Sequence, residues 1–339
     1  MNLVVFKFNN LGDNVVFVPA IQALRQRCPG LRITLLTTPN EAGLYGGKWA
    51  PDEVLVSGKL EFEKAYRRPW ALVRWLLAVR RRHAGLCMVP FDQGNTAHLL
   101  ARLSGAETRV GASMAFARIP GSLTEIVALP ECARPAMWNW NMARAVARSL
   151  GDATGWPEEP PPPDLRHLLA PQPRPRGARK RVVVHAGAGG PLNQWQAGNF
   201  AAVAESLSRE FEVVWIAHGK NSGTAPAGVT HAPVNSVAEL ADWISASDLF
   251  LGNNSGPMHL ANALGCPGVV VTGPSARGWD PFWHRERWSV LRHPNLSCSP
   301  CERLQEKLAG CANLAAPMAC MTHWTPERVA QECRLRLAG

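Results

Sequence analysis

Two small polar loops in the second half of the chain have the composition of a phosphate-binding site. GNNSGPMH follows the apolar run DLFL, and HAGAGGPLNQW follows RVVV. Small residues leave backbone N–H groups accessible, and a helix that begins at such a loop adds the positive end of its dipole. Ser255 is expected to cap that helix, Gly256 to let a ligand approach and Pro257 to occupy the first turn. Two such loops favour a diphosphate ligand, with an ordinary capped helix and a flexible turn as the alternatives.

A third loop, FKFNNLGDN over residues 6–14, combines a lysine and a carboxylate at another strand-to-helix junction. Asp13 at a helix start is a favourable cap for electrostatic reasons alone. At the edge of a ligand cleft the same carboxylate would serve as a general base for an acceptor hydroxyl. Lys7, on the preceding strand, would then stabilise negative charge beside it.

A basic segment with interleaved tryptophans, KAYRRPWALVRWLLAVRRRH, spans residues 64–83. Its pattern predicts a basic amphipathic helix, which either packs one face and solvates the other or contacts an anionic acceptor or membrane surface.

Four cysteines lie near the C-terminus, in the segment 298–321. Cys298 and Cys301 form a Cys-x2-Cys pair, and Cys311 and Cys320 follow. Four thiolates suit one tetrahedral zinc or iron ion, but the later spacings match no standard zinc module. Free thiols or an adventitious disulfide are the alternatives, and none of these interpretations makes the cysteines catalytic.

The elements that must position these residues alternate between strands and helices. The chain has 339 residues, of which 46% are hydrophobic and 18% charged, so it can form real cores and is long enough for two. Apolar runs such as LVVFKF, RITLLTT and GLCMVPF, and later RVVV, DLFLG and GVVVTG, predict parallel strands with crossover helices. Pro19 is expected to bend the first helix.

This alternation predicts an α/β protein with two Rossmann-like domains facing a cleft, where such sheets bind ligands. The expected organisation is a first domain over residues 1–155, a proline-rich linker over 156–180, a second domain over 181–324 and a C-terminal helix over 325–339.

The net charge, the N-terminal sequence and the hydrophobic pattern indicate which binding partners and which cellular location to expect. A formal net charge of +10 favours anionic partners. The N-terminal sequence lacks a signal-peptide core and no segment is apolar enough to span a membrane, so we expect a cytoplasmic protein, with peripheral contact at the inner face of the membrane as an option.

Four segments together resemble glycosyltransferase family 9, whose best-known members are ADP-heptose:lipopolysaccharide heptosyltransferases. They are VVFKFNNLGDNVVFVPAIQALR, HAGAGGPLNQW, NNSGPMHLANALGCPGVVVTGPS and the CSPC…C…CM tail that ends in WTPERV. The resemblance covers nearly the whole chain in the right order.

This resemblance implies a GT-B fold and inverting, metal-independent transfer of a sugar, with heptose as the leading choice, from a nucleotide diphosphate to a lipopolysaccharide-type or other cell-surface glycan acceptor. It implies that Asp13 is the base, aided by Lys7, and that no cofactor is required for transfer. The donor would be an ADP-heptose-like nucleotide sugar, the acceptor an anionic glycan or glycolipid, and nucleic acid is not expected as a partner. Predicted donor-binding residues are Gly187, Ala188, Gly189, Asn193, Asn254, Ser255, Gly256, Pro257, Met258 and His259; predicted acceptor-binding residues are Asn9, Asn10, Arg67 and Arg68.

Two positions depart from the family pattern. Relatives often carry an acidic residue at the position of Asn254 and a lysine at the position of Asn193, so two charges are replaced by neutral amides. The exchange should weaken electrostatic stabilisation or signal a different donor. A nucleotide-sugar epimerase of the same architecture and a non-catalytic nucleotide-sugar-binding relative remain as alternatives.

Overall fold

The chain forms two compact units, Met1–Asp164 and Leu165–Gly339. The structure is a computed structural model that describes residues 1–112, 119–152, 154–217, 223–304 and 310–338. The proline-rich stretch 156–180 spans the boundary between the units.

The first unit is built on a parallel sheet of six strands in the order β3-β2-β1-β4-β5-β6. The strands are β1 (Asn2–Lys7), β2 (Arg32–Thr37), β3 (Glu53–Val56), β4 (Leu86–Val89), β5 (Thr108–Gly111) and β6 (Glu125–Ile126). Its helices are α1 (Leu11–Val15), α2 (Val18–Arg27), α3 (Pro39–Ala42), α4 (Lys59–Glu63), α5 (Pro69–Arg80), α6 (Asn95–Leu103) and α7 (Pro135–Ser149).

The second unit repeats this architecture with the strand order β12-β11-β10-β7-β8-β9, again parallel. The strands are β7 (Arg181–His185), β8 (Glu212–Ala217), β9 (Thr230–Pro233), β10 (Leu249–Asn253), β11 (Gly268–Val271) and β12 (Trp288–Leu291). The helices are α8 (Ala197–Ser208), α9 (Val237–Ser245), α10 (Gly256–Ala263), α11 (Ala319–Thr322) and α12 (Pro326–Ala338).

The predicted α/β class is confirmed, because both sheets are parallel and their central strands are buried on both faces. β4 and β7 are buried at every position, as expected for strands covered by helices on each side. In the second unit the core includes Trp195 and Phe200 near α8 and Val329 and Cys333 of α12.

The prediction that Pro19 bends the first helix was wrong. The chain forms two separate helices, α1 and α2, and Pro19 lies in the first turn of α2. A backbone N–H in the first turn has no partner within the helix, so proline costs no hydrogen bond there.

Candidate functional site

In the first unit the predicted base lies directly beyond the central strand. After β1 ends at Lys7, Asn10 adopts an extended backbone at the N-cap, and the five-residue helix α1 carries Asp13 in its first turn. Asp13 is half-buried. Because neighbouring parallel strands present their carboxyl ends at one edge, this carboxylate lies where ligands bind in such folds.

Lys7 is completely buried beneath this junction. Its Nζ donates a hydrogen bond of 2.8 Å to Asn9 Oδ1 and lies 5.3 Å from the centroid of the Phe17 ring. Burial lowers the pKa of Lys7 to about 8, although the carboxylates of Asp13 and Asp92 favour the charged form. Lys7 is therefore shielded from solvent and can interact with this edge only through its charge.

Asn9 is part of the hydrogen-bond network that holds the Lys7 side chain. It is 2% exposed, its Oδ1 also accepts a hydrogen bond from Gln93 Nε2, and its Nδ2 donates to the Asp92 carbonyl at 2.8 Å. The partners come from the loop FDQGN after β4, which sequence reasoning missed. This loop could have been predicted as part of the site, because its small polar residues directly follow a predicted strand.

The other predicted acceptor-binding residues are exposed. Asn10 accepts a hydrogen bond of 3.2 Å from Lys59 through its Oδ1, and Arg67 donates to the Tyr66 hydroxyl at 2.7 Å. Arg68 is exposed at the N-cap of α5. Arg67 and Arg68 therefore place two cationic side chains at the surface of the first unit.

A second carboxyl group, Glu41 of α3, lies close enough to interact electrostatically with Asp13. Burial raises the pKa of Glu41 to about 7; Lys59 opposes this shift, and the charge of Asp13 adds to it. The nearby Tyr45 hydroxyl donates a 2.6 Å hydrogen bond to Asn14 Oδ1. Sequence reasoning did not identify Glu41.

In the second unit, Asn253 joins the two small-residue loops. Its Oδ1 accepts a hydrogen bond from Trp195 N at 2.8 Å, and its Nδ2 donates to the carbonyls of Ala186 and Gly187 at 2.9 and 3.2 Å. Asn253 is 0% exposed. The loop after β7 and the loop after β10 are therefore fixed to each other by one amide, whose role was not predicted.

Helix α10 begins where the sequence indicated. Ser255 occupies the N-cap with an extended backbone, and Gly256 and Pro257 form the first turn. The expected capping hydrogen bond is absent from α10, since the Ser255 hydroxyl donates to the Asn253 carbonyl at 3.3 Å. The N–H groups at this helix start are therefore not capped by Ser255.

Met258 and His259 form the buried wall behind this helix start. They are 0% and 5% exposed, and the His259 ring meets the Trp279 ring edge-on at 5.7 Å between centroids. Burial lowers the pKa of His259 to about 4, so the ring is neutral at pH 7. His259 therefore adds no positive charge to this loop.

The small residues of the loop after β7 differ in their exposure to solvent. Gly187 is buried, Ala188 is half-buried and Gly189 is exposed. Asn193 ends a short 3-10 turn, and its Oδ1 accepts a hydrogen bond of 3.3 Å from the Ser275 hydroxyl. Ser275 follows β11, so a third strand end is joined to this edge.

Asn254 is held by the residues that follow β11 and β12. Its Nδ2 donates to Asp280 Oδ1 at 3.4 Å, and Arg292 donates to the same oxygen at 2.8 Å. Asp280 and Arg292 were not predicted, because 26 and 38 residues separate them from Asn254 in sequence and their side chains meet it only in the folded sheet.

The four cysteines of segment 298–321 line one small cavity, together with Leu192, Pro274 and Met318. They are free thiols, and burial raises the pKa of Cys301 and Cys320. Across the described ranges, no three His, Cys, Asp or Glu side chains converge as a metal site would require. The thiols share a cavity but do not fit a coordinated ion, so the zinc or iron prediction is not supported.

The basic helix α5 buries one face and exposes another. Trp75 and Val79 are 7% and 1% exposed, whereas Trp70, Val73 and Leu77 are 87%, 45% and 49% exposed. The exposed arginines of this region are Arg67, Arg68, Arg74, Arg80 and Arg81. Among the residues that the structure describes, no helix has the length and apolar composition of a membrane span.

Comparison with solved structures supports the GT-B architecture. A heptosyltransferase WaaC from E. coli with ADP superposes with a TM-score of 0.71 at 16% identity, covering 99% of this chain and 100% of that one. The E. coli ADP-heptose LPS heptosyltransferase II gives a TM-score of 0.70 at 16% identity, covering 100% and 99%.

Sequence comparison identifies the family. A lipooligosaccharide heptosyltransferase 2 from Campylobacter jejuni is 25% identical over 172 residues, which are 47% of this chain and 51% of the relative, so the match spans about half the length of that curated relative. Residues 97–312, more than half of the chain, match the family model described as glycosyltransferase family 9 (heptosyltransferase). The chain therefore belongs to glycosyltransferase family 9.

Proposed function

We propose that this protein is an inverting glycosyltransferase that moves a sugar, with heptose as the first choice, from an ADP-heptose-like nucleotide sugar to an anionic lipopolysaccharide-type or other cell-surface glycan acceptor. The observation that carries the proposal is the start of α10, which follows a buried strand with an uncapped helix N-terminus and small residues beside it. Membership in the family favours transfer over epimerisation or simple binding.

The donor diphosphate is proposed to lie at Ser255 and Gly256. In this turn Pro257 has no N–H, and the N–H groups of Met258 and His259 donate to the Ser255 carbonyl at 3.1 and 3.3 Å. The Gly256 N–H and the positive end of the helix dipole are therefore the features that favour phosphate oxygens here. Asn253 donates hydrogen bonds to the carbonyls of Ala186 and Gly187, so the loop after β7 is tied to the residue that precedes Asn254 and Ser255 before any ligand arrives. Preorganised donors stabilise the charge that develops on the leaving diphosphate without having to reorient.

Asp13 is proposed as the base. As the acceptor hydroxyl oxygen bonds to the anomeric carbon, the bond between that carbon and the diphosphate oxygen breaks, and the hydroxyl proton passes to the Asp13 carboxylate. One displacement of this kind inverts the anomeric configuration and requires no cofactor. Lys7 is buried, carries a positive charge below about pH 8 and interacts electrostatically with Asp13, so it is proposed to stabilise negative charge at this site.

Binding of nucleotides tests the donor half of this proposal. Titration calorimetry with ADP, UDP and GDP is expected to show binding of ADP, with a stronger signal from ADP-heptose. A ligand that binds only the folded state also raises its apparent stability, so a thermal shift should follow the same order. Absence of binding with all three diphosphates would contradict the proposed donor site.

We further propose a cytoplasmic location with peripheral contact at the inner membrane through the exposed stripe of α5. Trp70, Val73 and Leu77 recur at helical spacing and are flanked by exposed arginines. This combination of apolar and basic residues suits a helix that lies at an anionic lipid surface.

Co-sedimentation with vesicles tests this contact. The parent should bind vesicles containing phosphatidylglycerol and bind phosphatidylcholine vesicles weakly. The double variant Trp70→Ser/Leu77→Ser should lose at least about tenfold in affinity, because each exposed side chain contributes roughly 1.5–3 kcal/mol when buried in an apolar phase. Leu314→Ser is the control, since Leu314 is 85% exposed in the other unit. Equal loss in the control and the double variant would argue against a role of α5.

A further inference from the structure

The turn that carries Asp13 is too short to hold its shape alone. Helix α1 has five residues, and its N-cap residue Asn10 makes no side-chain capping hydrogen bond. A helix of this length gains little from its own hydrogen bonds, so contacts from other groups must fix its conformation. Asn14, the residue directly after Asp13, is completely buried and provides such contacts.

The side-chain amide of Asn14 closes this turn. Its Nδ2 donates hydrogen bonds of 3.0 Å to the carbonyl oxygens of Asn9 and Asn10. The Asn14 backbone N–H also donates to the Asn10 carbonyl, at 3.1 Å. Because backbone carbonyls only accept hydrogen bonds, the NH₂ end of the amide must face them and Oδ1 must face the other way. The amide therefore ties α1 to the two residues that precede it.

Tyr45 binds the other end of this amide. Its hydroxyl donates a 2.6 Å hydrogen bond to Asn14 Oδ1, its side chain is 4% exposed, and its ring meets the Phe17 ring edge-on at 6.3 Å between centroids. Burial raises the pKa of Tyr45 well above its ordinary value, and the charges of Glu41 and Asp13 add to the shift. The hydroxyl therefore keeps its proton and remains a donor. A buried polar pair whose hydrogen-bonding atoms are all partnered favours a single conformation.

We infer that Asn14 and Tyr45 are positioning residues for Asp13, which fix the turn between β1 and α1 so that the carboxylate keeps one orientation toward the acceptor hydroxyl. The inference rests on the proposed function, because it requires Asp13 to be the base, and it adds the residues on which that base depends. Both side chains are buried and act through the backbone of the turn rather than by contact with the substrate. A catalytic group displaced by about 1 Å can lose roughly 10²-fold in rate, so the conformation of this turn should affect turnover strongly.

Two variants loosen the turn to different degrees. Asn14→Ala removes both donations to the carbonyls of Asn9 and Asn10, and it should lower kcat of sugar transfer by about 10–10²-fold. Tyr45→Phe keeps the ring and removes only the hydroxyl, so that Asn14 Oδ1 loses its donor, and it should lower kcat by about three- to tenfold. Calorimetry should show ADP affinity within about twofold of the parent in both variants, because the donor site is proposed in the other unit.

The same substitutions in the Asp13→Asn background test whether they act through the base. If the buried pair only orients Asp13, then without that carboxylate Asn14→Ala and Tyr45→Phe should each lower the residual kcat by less than about twofold. A substitution that merely reduced the folded fraction would lower kcat by the same factor in both backgrounds. Transfer of radiolabelled sugar from ADP-heptose to heptose-deficient lipopolysaccharide would measure both the parental and the residual rates.

Ser104→Ala is the matched control. Ser104 is 7% exposed, and its hydroxyl donates to the Ala101 carbonyl at 2.7 Å and accepts from Ala106 N at 3.0 Å. It precedes β5, so the variant removes buried hydrogen bonds from the same unit at the edge of the sheet opposite Asp13. Its kcat should stay within about twofold of the parent, and urea unfolding should show that every variant is folded under the assay conditions.

The results separate this inference from the proposed function. Losses in Asn14→Ala and Tyr45→Phe that disappear in the Asp13→Asn background support positioning; if Asn14→Ala does not fold, Tyr45→Phe decides. Parental kcat in either folded single variant, losses of undiminished size in the Asp13→Asn background, or an equal loss in Ser104→Ala would overturn the inference and leave the proposed function intact. Parental turnover by Asp13→Asn would instead remove the proposed base and this inference together.

Discussion

Replacing Asp13 by asparagine is expected to lower kcat of sugar transfer by roughly 10²–10⁴-fold, the usual contribution of a general base. Asparagine keeps the size of the side chain but cannot take the proton of the acceptor hydroxyl. Transfer from ADP-heptose to heptose-deficient lipopolysaccharide would measure the loss, and calorimetry with ADP should show donor affinity unchanged.

Asp152→Asn provides the matched control for this variant. Asp152 is a carboxylate of the same unit whose oxygens accept hydrogen bonds from Arg27 at 2.6 and 2.7 Å, and no role in transfer is proposed for it. Its kcat should stay within about twofold of the parent. Parental turnover by Asp13→Asn would remove Asp13 as the base.

Replacing Lys7 by methionine is expected to increase the free energy of unfolding at pH 7 by up to about 3 kcal/mol, which corresponds to the lowering of the lysine pKa from 10.5 to about 8. Below pH 8 the folded protein carries a buried charge that costs desolvation energy. Between about pH 8 and 10.5 the unfolded chain binds more protons than the folded one, so parental stability from this group rises with pH.

Urea unfolding at pH 7 and pH 10 measures this difference. The advantage of Lys7→Met should shrink at the higher pH, because the folded lysine is then neutral and the parent no longer carries the penalty. Lys64→Met, at an exposed position, should change stability by less than about 0.5 kcal/mol. An advantage that does not vary with pH would contradict the buried charge as its cause.

The same Lys7→Met variant should transfer sugar more slowly. The variant removes the buried positive charge that interacts with Asp13 and is proposed to stabilise negative charge at the site, and we expect kcat to fall by about tenfold or more. Stability and activity would therefore change in opposite directions, as is common where a site retains a destabilising group.

The sequence was sufficient for the strands with long apolar runs and insufficient for the short ones. β1, β7 and β10 follow from buried hydrophobic stretches, whereas β6 has two residues and β9 contains Pro233 and is exposed at three of its four positions. β6 and β9 contain too few buried apolar residues for periodicity to reveal them, whereas the other two edge strands, β3 and β12, carry apolar runs that do.

The candidate site divides in a similar way. Ser255, Gly256 and Asp13 could be proposed from the sequence because each lies at a local strand-to-helix junction with a recognisable composition. Asp280 and Arg292 reach Asn254 through tertiary contacts, and no local pattern records such an approach. The cysteines show the opposite limitation. Their spacing allows a metal site, but among the described residues no three potential ligands are arranged to hold an ion, although the four thiols line one cavity.

The amide of Asn253 limits how the proposed donor preference of this protein can be changed by loop exchange. Because this one side chain hydrogen-bonds Trp195 on one side of the loop after β7 and Ala186 and Gly187 on the other, a transplanted loop must match its backbone at both places. Insertions or deletions between residues 188 and 194 preserve that match only if both anchor points keep their spacing in space. Recombination of this chain with relatives should therefore succeed when the two loops are exchanged as one block.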